Sequence, residues 1–338
     1  MNTIKIAPGD TSFECHDDDT ILRAALRSGI GMPYSCNVGS CGNCRFELIN
    51  GKVEHLHSDP PAWSERDLKR NRWLGCQAKP DGACEIKFRA EEKYINTVRP
   101  EKRRARLEGL TQITHDITEF NFSVTGEDNF LAGQYALLQL PGVEGQRAYS
   151  MSNLPGTGEW RFMVKRLPGG AATTHLFDTM AVGDSVEIDG PYGTAFLQTD
   201  SQKDIVLIAG GSGLSPMISI LTGIFKAGPS DRRKVDFFYG CRSPEDIFDI
   251  ELLNKITGPS DRVRFVAACS DASLNSNDRV SWSGPTGYIH DVVNNSLSDQ
   301  LLKRDIYFAG PAVMSAALQK MAYDMKIPIE NMYFDEFF

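Results

Sequence analysis

Cys36-Asn37-Val38-Gly39-Ser40-Cys41-Gly42-Asn43-Cys44 carries three cysteines in one short loop, and Cys76 follows after a long gap. The spacing C-x4-C-x2-C…C is that of four thiolates around a plant-type [2Fe–2S] cluster. Gly39, Ser40 and Gly42 let such a loop fold tightly, so that backbone N–H groups can point at the sulfurs. A four-cysteine zinc site and unmetallated thiols are the alternatives. Zinc sites favour paired C-x2-C hooks, and Cys76 has no such partner. A cluster of this kind moves one electron at a time, so the rest of the chain should supply a source and an exit.

The chain has 338 residues, room for two or three domains. Its 41% hydrophobic and 24% charged content is that of an ordinary globular protein. No apolar run is long enough to span a bilayer, and MNTIKIAPGD has no signal-peptide core, so a cytoplasmic location is expected. A formal net charge of −8 argues against a nucleic-acid partner, which would need clustered Lys and Arg. Asp17, Asp18 and Asp19 read as a solvated turn before a helix. Cys15, Cys84, Cys241 and Cys269 lie in or near strand-like runs and read as core or incidental thiols.

Three blocks follow one another, with no repeat or low-complexity tract. The first opens with alternating stretches, Thr3 to Ile6 and Ser12 to Cys15, around the turn Pro8-Gly9-Asp10. Thr20 is placed to cap a helix from Ile21 to Ser28, and Ser64-x-x-Asp67 resembles a capping box with Asp in place of Glu. Residues 94–103 (YINTVRPEKR) are polar and broken by Pro100, a linker. The second block predicts strands Ala105 to Ile113, Ile117 to Val124, Tyr135 to Leu140, Gln146 to Ser152, Glu159 to Lys165 and Ser185 to Ile188. One helix, near 172–180, interrupts them, which suggests a small antiparallel barrel. The third alternates strands (Ile205 to Ala209, Val235 to Tyr239, Val263 to Ala267, Ile306 to Phe308) with helices near 216–226, 248–256 and 313–325. That pattern is a doubly wound parallel sheet. The expected domains are 1–95, 104–200 and 201–338, with 96–103 as linker.

Three further motifs carry chemistry. Ala209-Gly-Gly-Ser-Gly-Leu-Ser-Pro216 follows an apolar strand and opens a helix, with Ser215 as N-cap and Pro216 as N1. Such a turn lets backbone approach a pyrophosphate, although an ordinary strand–helix turn looks similar. Arg147-Ala148-Tyr149-Ser150 offers a phosphate-pairing guanidinium, a ring and a hydroxyl; a solvated strand is the plain alternative. The ending Tyr333-Phe334-Asp335-Glu336-Phe337-Phe338 is aromatic and acidic where termini are usually polar, so it should dock as a hydrophobic plug or stack on a ring.

In their order and spacing these features resemble the ferredoxin–NAD(P)H:flavin reductases of bacterial oxygenase systems, over essentially the whole chain. Toluene- or xylene-type aromatic monooxygenase reductases look most similar, and benzoate-type dioxygenase reductases share the layout. The resemblance implies a multidomain α+β and α/β fold: a β-grasp [2Fe–2S] ferredoxin, an antiparallel flavin-binding β-barrel and a doubly wound nucleotide domain. It implies Cys36, Cys41, Cys44 and Cys76 as cluster ligands. Arg147 would hold the FAD pyrophosphate, Tyr149 flank the flavin, and Ser150 sit near its N5. Gly133-Gln134-Tyr135 and Gly190-Pro191-Tyr192-Gly193 look like the family's barrel motifs. Gly170 and Thr173 look like its phosphate turn, where the hydroxyl and a helix N-terminus would take the FAD phosphates. Gly210, Gly211 and Gly213 match the nicotinamide pyrophosphate turn, and Gly310, Pro311 and Met314 a CGPxxM motif. Phe337 falls where a terminal aromatic stacks on the flavin, and Asp335 where many members carry Glu. Ala309 replaces the motif's cysteine, which bears on the efficiency of hydride transfer and not on the type of reaction.

The implied path runs from NADH to FAD, then singly through the cluster to a Rieske-type ferredoxin or an oxygenase component. Substrate oxidation would occur elsewhere, since no di-iron or haem ligand set is visible. NADH is expected over NADPH: Arg242 and Ser243 could receive a 2′-phosphate, but Glu245 and Asp246 would repel one. A monomer is expected. The alternatives are the reductase of a ring-hydroxylating dioxygenase or of a sugar-deoxygenation system, or a redox sensor that does not turn over.

Overall fold

The structure, a computed structural model, describes residues 1–228, 231–271, 273 and 282–337. Phe338, the last residue of the aromatic ending, lies outside them. The first module contains β1 (Asn2–Ile6), β2 (Ser12–Cys15), α1 (Ile21–Arg27), β3 (Arg45–Asn50), β4 (Val53–His55), α2 (Glu65–Lys69), β5 (Arg72–Leu74), β6 (Ala78–Pro80) and β7 (Cys84–Lys87). Its main sheet runs β2-β1-β7-β3-β5, with β1 parallel to β7 and the other pairs antiparallel. Helix α1 buries Ile21, Leu22, Ala24, Ala25 and Leu26, which completes a β-grasp. Thr20 stands at the N-cap, but its hydroxyl makes no cap hydrogen bond; Asp19 Oδ1 accepts from the Thr20 N–H instead (2.9 Å). The Ser64–Asp67 capping box forms in full, so the shorter Asp suffices. Near the cysteines, His55 accepts from Leu74 N through Nε2 (3.1 Å). Burial pushes its pKa down to about 4. Its ring stands edge-on to Trp63 and Trp73, which stack with centroids 5.3 Å apart.

The second module contains β8 (Glu101–Gln112), β9 (Ile117–Val124), β10 (Tyr135–Gln139), β11 (Arg147–Ser150), β12 (Glu159–Lys165), α3 (Ala171–Thr174) and β13 (Ser185–Tyr192). The first of these strands starts inside the segment read as linker. The sheet order is β11-β10-β13-β8-β9-β12. An antiparallel bridge from Met151, just past β11, to Phe162 in β12 ties the two ends of that order together, as a barrel requires.

The third module contains β14 (Ile205–Gly210), α4 (Leu214–Lys226), β15 (Val235–Cys241), α5 (Glu251–Thr257), β16 (Val263–Cys269), α6 (Ile289–Leu297), β17 (Asp305–Pro311), α7 (Ala312–Asp324) and β18 (Met332–Phe337). Its parallel sheet runs β16-β15-β14-β17-β18. Strand order reverses between β14 and β17, the position where open α/β sheets bind ligands. Alternate residues of β14 enter opposite cores: Leu207 packs with Phe237 and Tyr307, Ile208 with Phe238 and Phe308. The aromatic ending, read as a plug or a ring-stacking tail, forms an edge strand. Phe334 stacks on Phe308 and Tyr333 on Tyr307, with centroids 4.7 and 4.8 Å apart.

The chain packs as two compact units: Met1–Arg103 with Ala136–Ala148 and Glu187–Thr194, and Arg104–Tyr135 with Tyr149–Val186 and Ala195–Phe338. No helix among the described residues is long and apolar enough to cross a membrane.

A Cβ at Gly213 would lie 1.9 Å from the Ala309 carbonyl oxygen. Gly213→Ala should therefore force α4 off β17 and cost about 2 kcal/mol. The check is thermal unfolding followed by circular dichroism, where an unchanged midpoint would show that the turn has slack.

Candidate functional site

The cysteine loop leaves α1, passes over the 75–77 turn and enters β3. Asn37, Gly39 and Gly42 take positive φ (56°, 89° and 77°), which turns the chain back on itself and aims N–H groups inward. The Cys41 N–H donates to Cys36 Sγ (3.3 Å), the Asn43 N–H reaches Cys41 Sγ (3.5 Å), and Cys44 Sγ lies 3.4 Å from Cys76 Sγ. A hydrogen bond from the Cys41 thiol, followed by N–H groups of Val38, Cys41 and Ser40, pulls Cys36 down to about 6 against the opposing effect of burial. Cys44 is lowered in the same way by Cys76. Four soft sulfur donors with amide hydrogens aimed at them fit a [2Fe–2S] cluster.

Two arginines that the sequence reading passed over hold this loop. Arg23, only 5% exposed, donates from Nε to Asn37 Oδ1 and from Nη2 to the Asn37 carbonyl (both 3.2 Å). Arg45 donates from Nη1 to Gly42 O (2.8 Å), from Nη2 to Ala62 O, and from Nε to Asp67 Oδ1 (3.1 Å). A Cβ on Gly42 would strike that guanidinium at 2.2 Å.

Arg147, Tyr149 and Ser150 lie on β11. Arg147 Nη1 donates to the Glu144 and Gln146 carbonyls (3.0 and 3.2 Å). Ser150 is buried. Thr173 is 5% exposed, and its hydroxyl is taken up by the turn before it, accepting from Leu167 N (3.2 Å) and lying 3.1 Å from the Leu167 and Gly170 carbonyls. In this structure the hydroxyl holds the 167–170 turn together. Gly170 is needed there, because a Cβ would sit 2.8 Å from Thr173 Oγ1.

The glycine turn is tighter than expected. Gly211–Gly213 forms a single 3-10 turn and α4 begins at Leu214. Ser215 is therefore inside the helix and is not its N-cap. Its Oγ donates to the Ser150 carbonyl (2.7 Å) and accepts from Met163 N (3.2 Å). One turn on, Ser219 Oγ donates to the Asn153 carbonyl (2.7 Å) and accepts from Gly133 N (3.3 Å). Two small polar side chains thus tie α4 to the barrel, Ser215 at the end of β11 and Ser219 just beyond it. Gly210 and Gly310 are kept bare by Met314, which a Cβ on either would meet at 2.6 or 2.7 Å.

Ala309 and Asp335 face one another in register on β17 and β18. Burial, and then Glu336, pushes the Asp335 carboxyl up to about 7, although the residue keeps some exposed surface. Phe337 pairs with Pro311 and packs partly into the core. Arg242 is exposed. Its N–H, with the Ser243 N–H and hydroxyl, donates to Asp246 Oδ2 (3.2, 2.8 and 3.2 Å). The other oxygen of Asp246 lies 3.6 Å from Lys165 and 3.9 Å from His115. His115, Asp116 and Asp246 could by position hold a cation, but the Lys165 ammonium already lies between the two carboxylates, 2.7 Å from Asp116 and 3.6 Å from Asp246.

Known proteins agree with this layout. Residues 4–81 match the 2Fe-2S iron-sulfur cluster binding domain, 104–196 the oxidoreductase FAD-binding domain and 207–320 the oxidoreductase NAD-binding domain. The ferredoxin–NAD(P)+ reductase CarAd of Metapseudomonas resinovorans is 35% identical over 346 residues, 100% of each chain. The ferredoxin–NAD+ reductase component of the alkene monooxygenase system of Xanthobacter autotrophicus is 36% identical over 334 residues, 96% of this chain and 98% of that one. The solved ferredoxin reductase in carbazole 1,9a-dioxygenase superposes with a TM-score of 0.89 at 33% identity, over 100% of this chain and 98% of that one.

Replacing Arg23 by Met should free Asn37 and loosen the loop without touching a ligand. Losing a hydrogen bond that orients the loop carrying the ligands weakens metal holding by about tenfold or more. The decay of the cluster's visible absorbance under a chelator should quicken accordingly, and wild-type decay would remove Arg23 from this role.

Proposed function

This chain belongs to the ferredoxin–NAD(P)+ reductase components of oxygenase systems, and on that premise we propose that it passes electrons from NADH to an aromatic-hydrocarbon monooxygenase. The immediate acceptor is a Rieske-type ferredoxin or the oxygenase component itself. When bound, FAD accepts a hydride and releases electrons singly, and the [2Fe–2S] cluster carries them one at a time. The observation that carries the reading is Ser215, whose hydroxyl joins the nucleotide helix to the flavin strand at the Ser150 carbonyl.

The roles assigned to the individual residues are those that the family resemblance implies. Arg147 pairs with the FAD pyrophosphate, Tyr149 packs on the ring and Ser150 lies near N5, while Gly170 and Thr173 shape the phosphate turn. Gly210, Gly211, Gly213, Gly310 and Pro311 line the nicotinamide side, with Phe337 as the terminal ring. NADH gains positive charge on its ring as hydride leaves, so an ionised Asp335 favours that step. The modules are those spanning 1–95, 104–200 and 201–338. All three cofactor-binding sets lie on one chain, so a monomer suffices. Four cysteines given to a cluster and four more left as thiols suit the reducing cytoplasm. The likeness to the reductase of carbazole 1,9a-dioxygenase supports a second reading, service to a dioxygenase. Reconstitution with purified mono- and dioxygenase components separates the two, and transfer to neither would refute both.

Asp246 supports the choice of NADH. Its carboxylate fills the nest of Arg242 N, Ser243 N and Ser243 Oγ, donors that a 2′-phosphate would otherwise claim. Asp246→Ser should raise kcat/KM for NADPH about tenfold or more relative to NADH, on the scale of one charged hydrogen-bond set. A ratio unmoved by the change would dissociate Asp246 from specificity.

Asp335 gives a pH prediction. Its folded pKa is raised, so below about 7 the folded protein keeps the proton, and above that the group is ionised. The kcat/KM for NADH should rise as pH passes about 7, and Asp335→Asn should flatten that step. The same carboxyl lowers stability as pH climbs from the ordinary carboxylate range toward 7, because the unfolded chain releases its proton first. A wild-type rate profile without an ionisation near 7 would rule Asp335 out.

A further inference from the structure

Helix α1 ends on Arg27, all three of whose guanidinium nitrogens donate hydrogen bonds. Nε donates to Asp19 Oδ2 (2.8 Å), Nη1 to the Pro100 carbonyl (2.8 Å) and Asp189 Oδ1 (2.9 Å), and Nη2 to Asp189 Oδ2 (2.7 Å). Asp189, on β13, has no exposed side-chain surface, and the buried Tyr192 hydroxyl donates to the same carboxylate (3.0 Å). Asp19 is buried as well. One cation thus binds a carboxylate of the ferredoxin module, a carboxylate of the flavin barrel and a carbonyl of the segment between them. Bidentate geometry fixes its direction as well as its distance.

A second joint repeats the arrangement. The Tyr34 hydroxyl accepts from Gly193 N in the barrel (2.9 Å) and donates to Asn96 Oδ1 in the connecting segment (3.0 Å), with the Tyr34 ring edge-on to Tyr192. Lys102 closes the segment onto Asp18 (2.5 Å). All these residues, the four cluster cysteines and Arg147 belong to one compact unit.

We propose that Arg27 is a positioning residue for internal electron transfer: by joining Asp189 to Asp19 it locks the cluster-bearing module onto β13, so that residues 94–103 act as a strap and not as a swivel. Electron transfer between two centres falls steeply with their separation, so the lock sets its rate. Removing the guanidinium leaves the buried Asp189 carboxylate with Tyr192 as its remaining side-chain partner among those described, a state that burial strongly disfavours. The proposal rests on the reading that electrons pass from flavin to cluster within this chain.

The test uses holoprotein with FAD and cluster bound, comparing wild type, Arg27→Met, Arg27→Lys and Asp189→Asn. In anaerobic stopped flow with NADH, Arg27→Met should bleach its flavin at the wild-type rate and its cluster at least tenfold more slowly. Ferricyanide reduction should be kept while cytochrome c reduction falls. Arg27→Lys, which keeps the charge, should recover part of the loss. The radius of gyration by small-angle scattering should rise, and trypsin should cut after Lys93 or Lys102 sooner. A merely structural role would lower flavin and cluster bleaching together. Cluster bleaching at the wild-type rate with unchanged scattering would overturn the proposal. So would rapid cutting of the 94–103 segment in wild-type holoprotein, which needs no variant. If wild-type flavin bleaches and its cluster never does, the underlying electron path fails, and that result is distinguishable from loss of the lock.

Discussion

Gly213 rests almost against the carbonyl of Ala309, and that single close approach places most of what matters in the nucleotide module. Because no side chain intervenes, α4 begins directly above the end of β17, at the point where strand order reverses. Starting there, its first turn brings Ser215 to the Ser150 carbonyl and its second brings Ser219 to the Asn153 carbonyl. A helix shifted by the width of a methyl group would miss both. The glycine therefore acts at a distance: it fixes the seam between α4 and the barrel as well as the 3-10 turn that opens the helix.

The modular order was legible because each module has a strong local signature. Cysteine spacing, an antiparallel run of short strands, and strands alternating with helices all depend on neighbours in sequence. Ile117–Val124 and Glu159–Lys165 were read to the residue, since both are alternating runs between clear turns. What escaped the reading depends on partners far away in sequence. Arg23, Arg27 and Arg45 look like ordinary surface cations until the fold brings Asn37, Asp189 and Ala62 to them. Ser215 looked like an N-cap because serine before proline usually is one; the 3-10 turn before it, forced by Gly213, moved the helix start. The final strand was missed for a similar reason. Tyr333 and Phe334 have no polar alternation, and only their pairing with Tyr307 and Phe308 makes them a strand.

Ala309 and Asp335, the two positions where the resemblance implies a cysteine and a glutamate, are direct neighbours on adjacent strands. The smaller side chain and the shorter acid change one local geometry together. The charge pattern around Asp246 has a comparable economy: one oxygen closes the 242–246 turn, while the other faces Lys165 and His115 on the barrel. One carboxylate thus both shapes the turn and contributes to the contact between the two modules.

The stacked pair Trp63 and Trp73 has an optical consequence. Two indoles at 5.3 Å couple their transitions, so this pair should contribute a split signal in the circular dichroism spectrum. The chain's other tryptophans, Trp160 and Trp282, fall in the barrel and in the nucleotide module. The ferredoxin module thus has a spectroscopic signature of its own, with Trp73 three residues before Cys76, that reports its folding separately from the rest of the molecule.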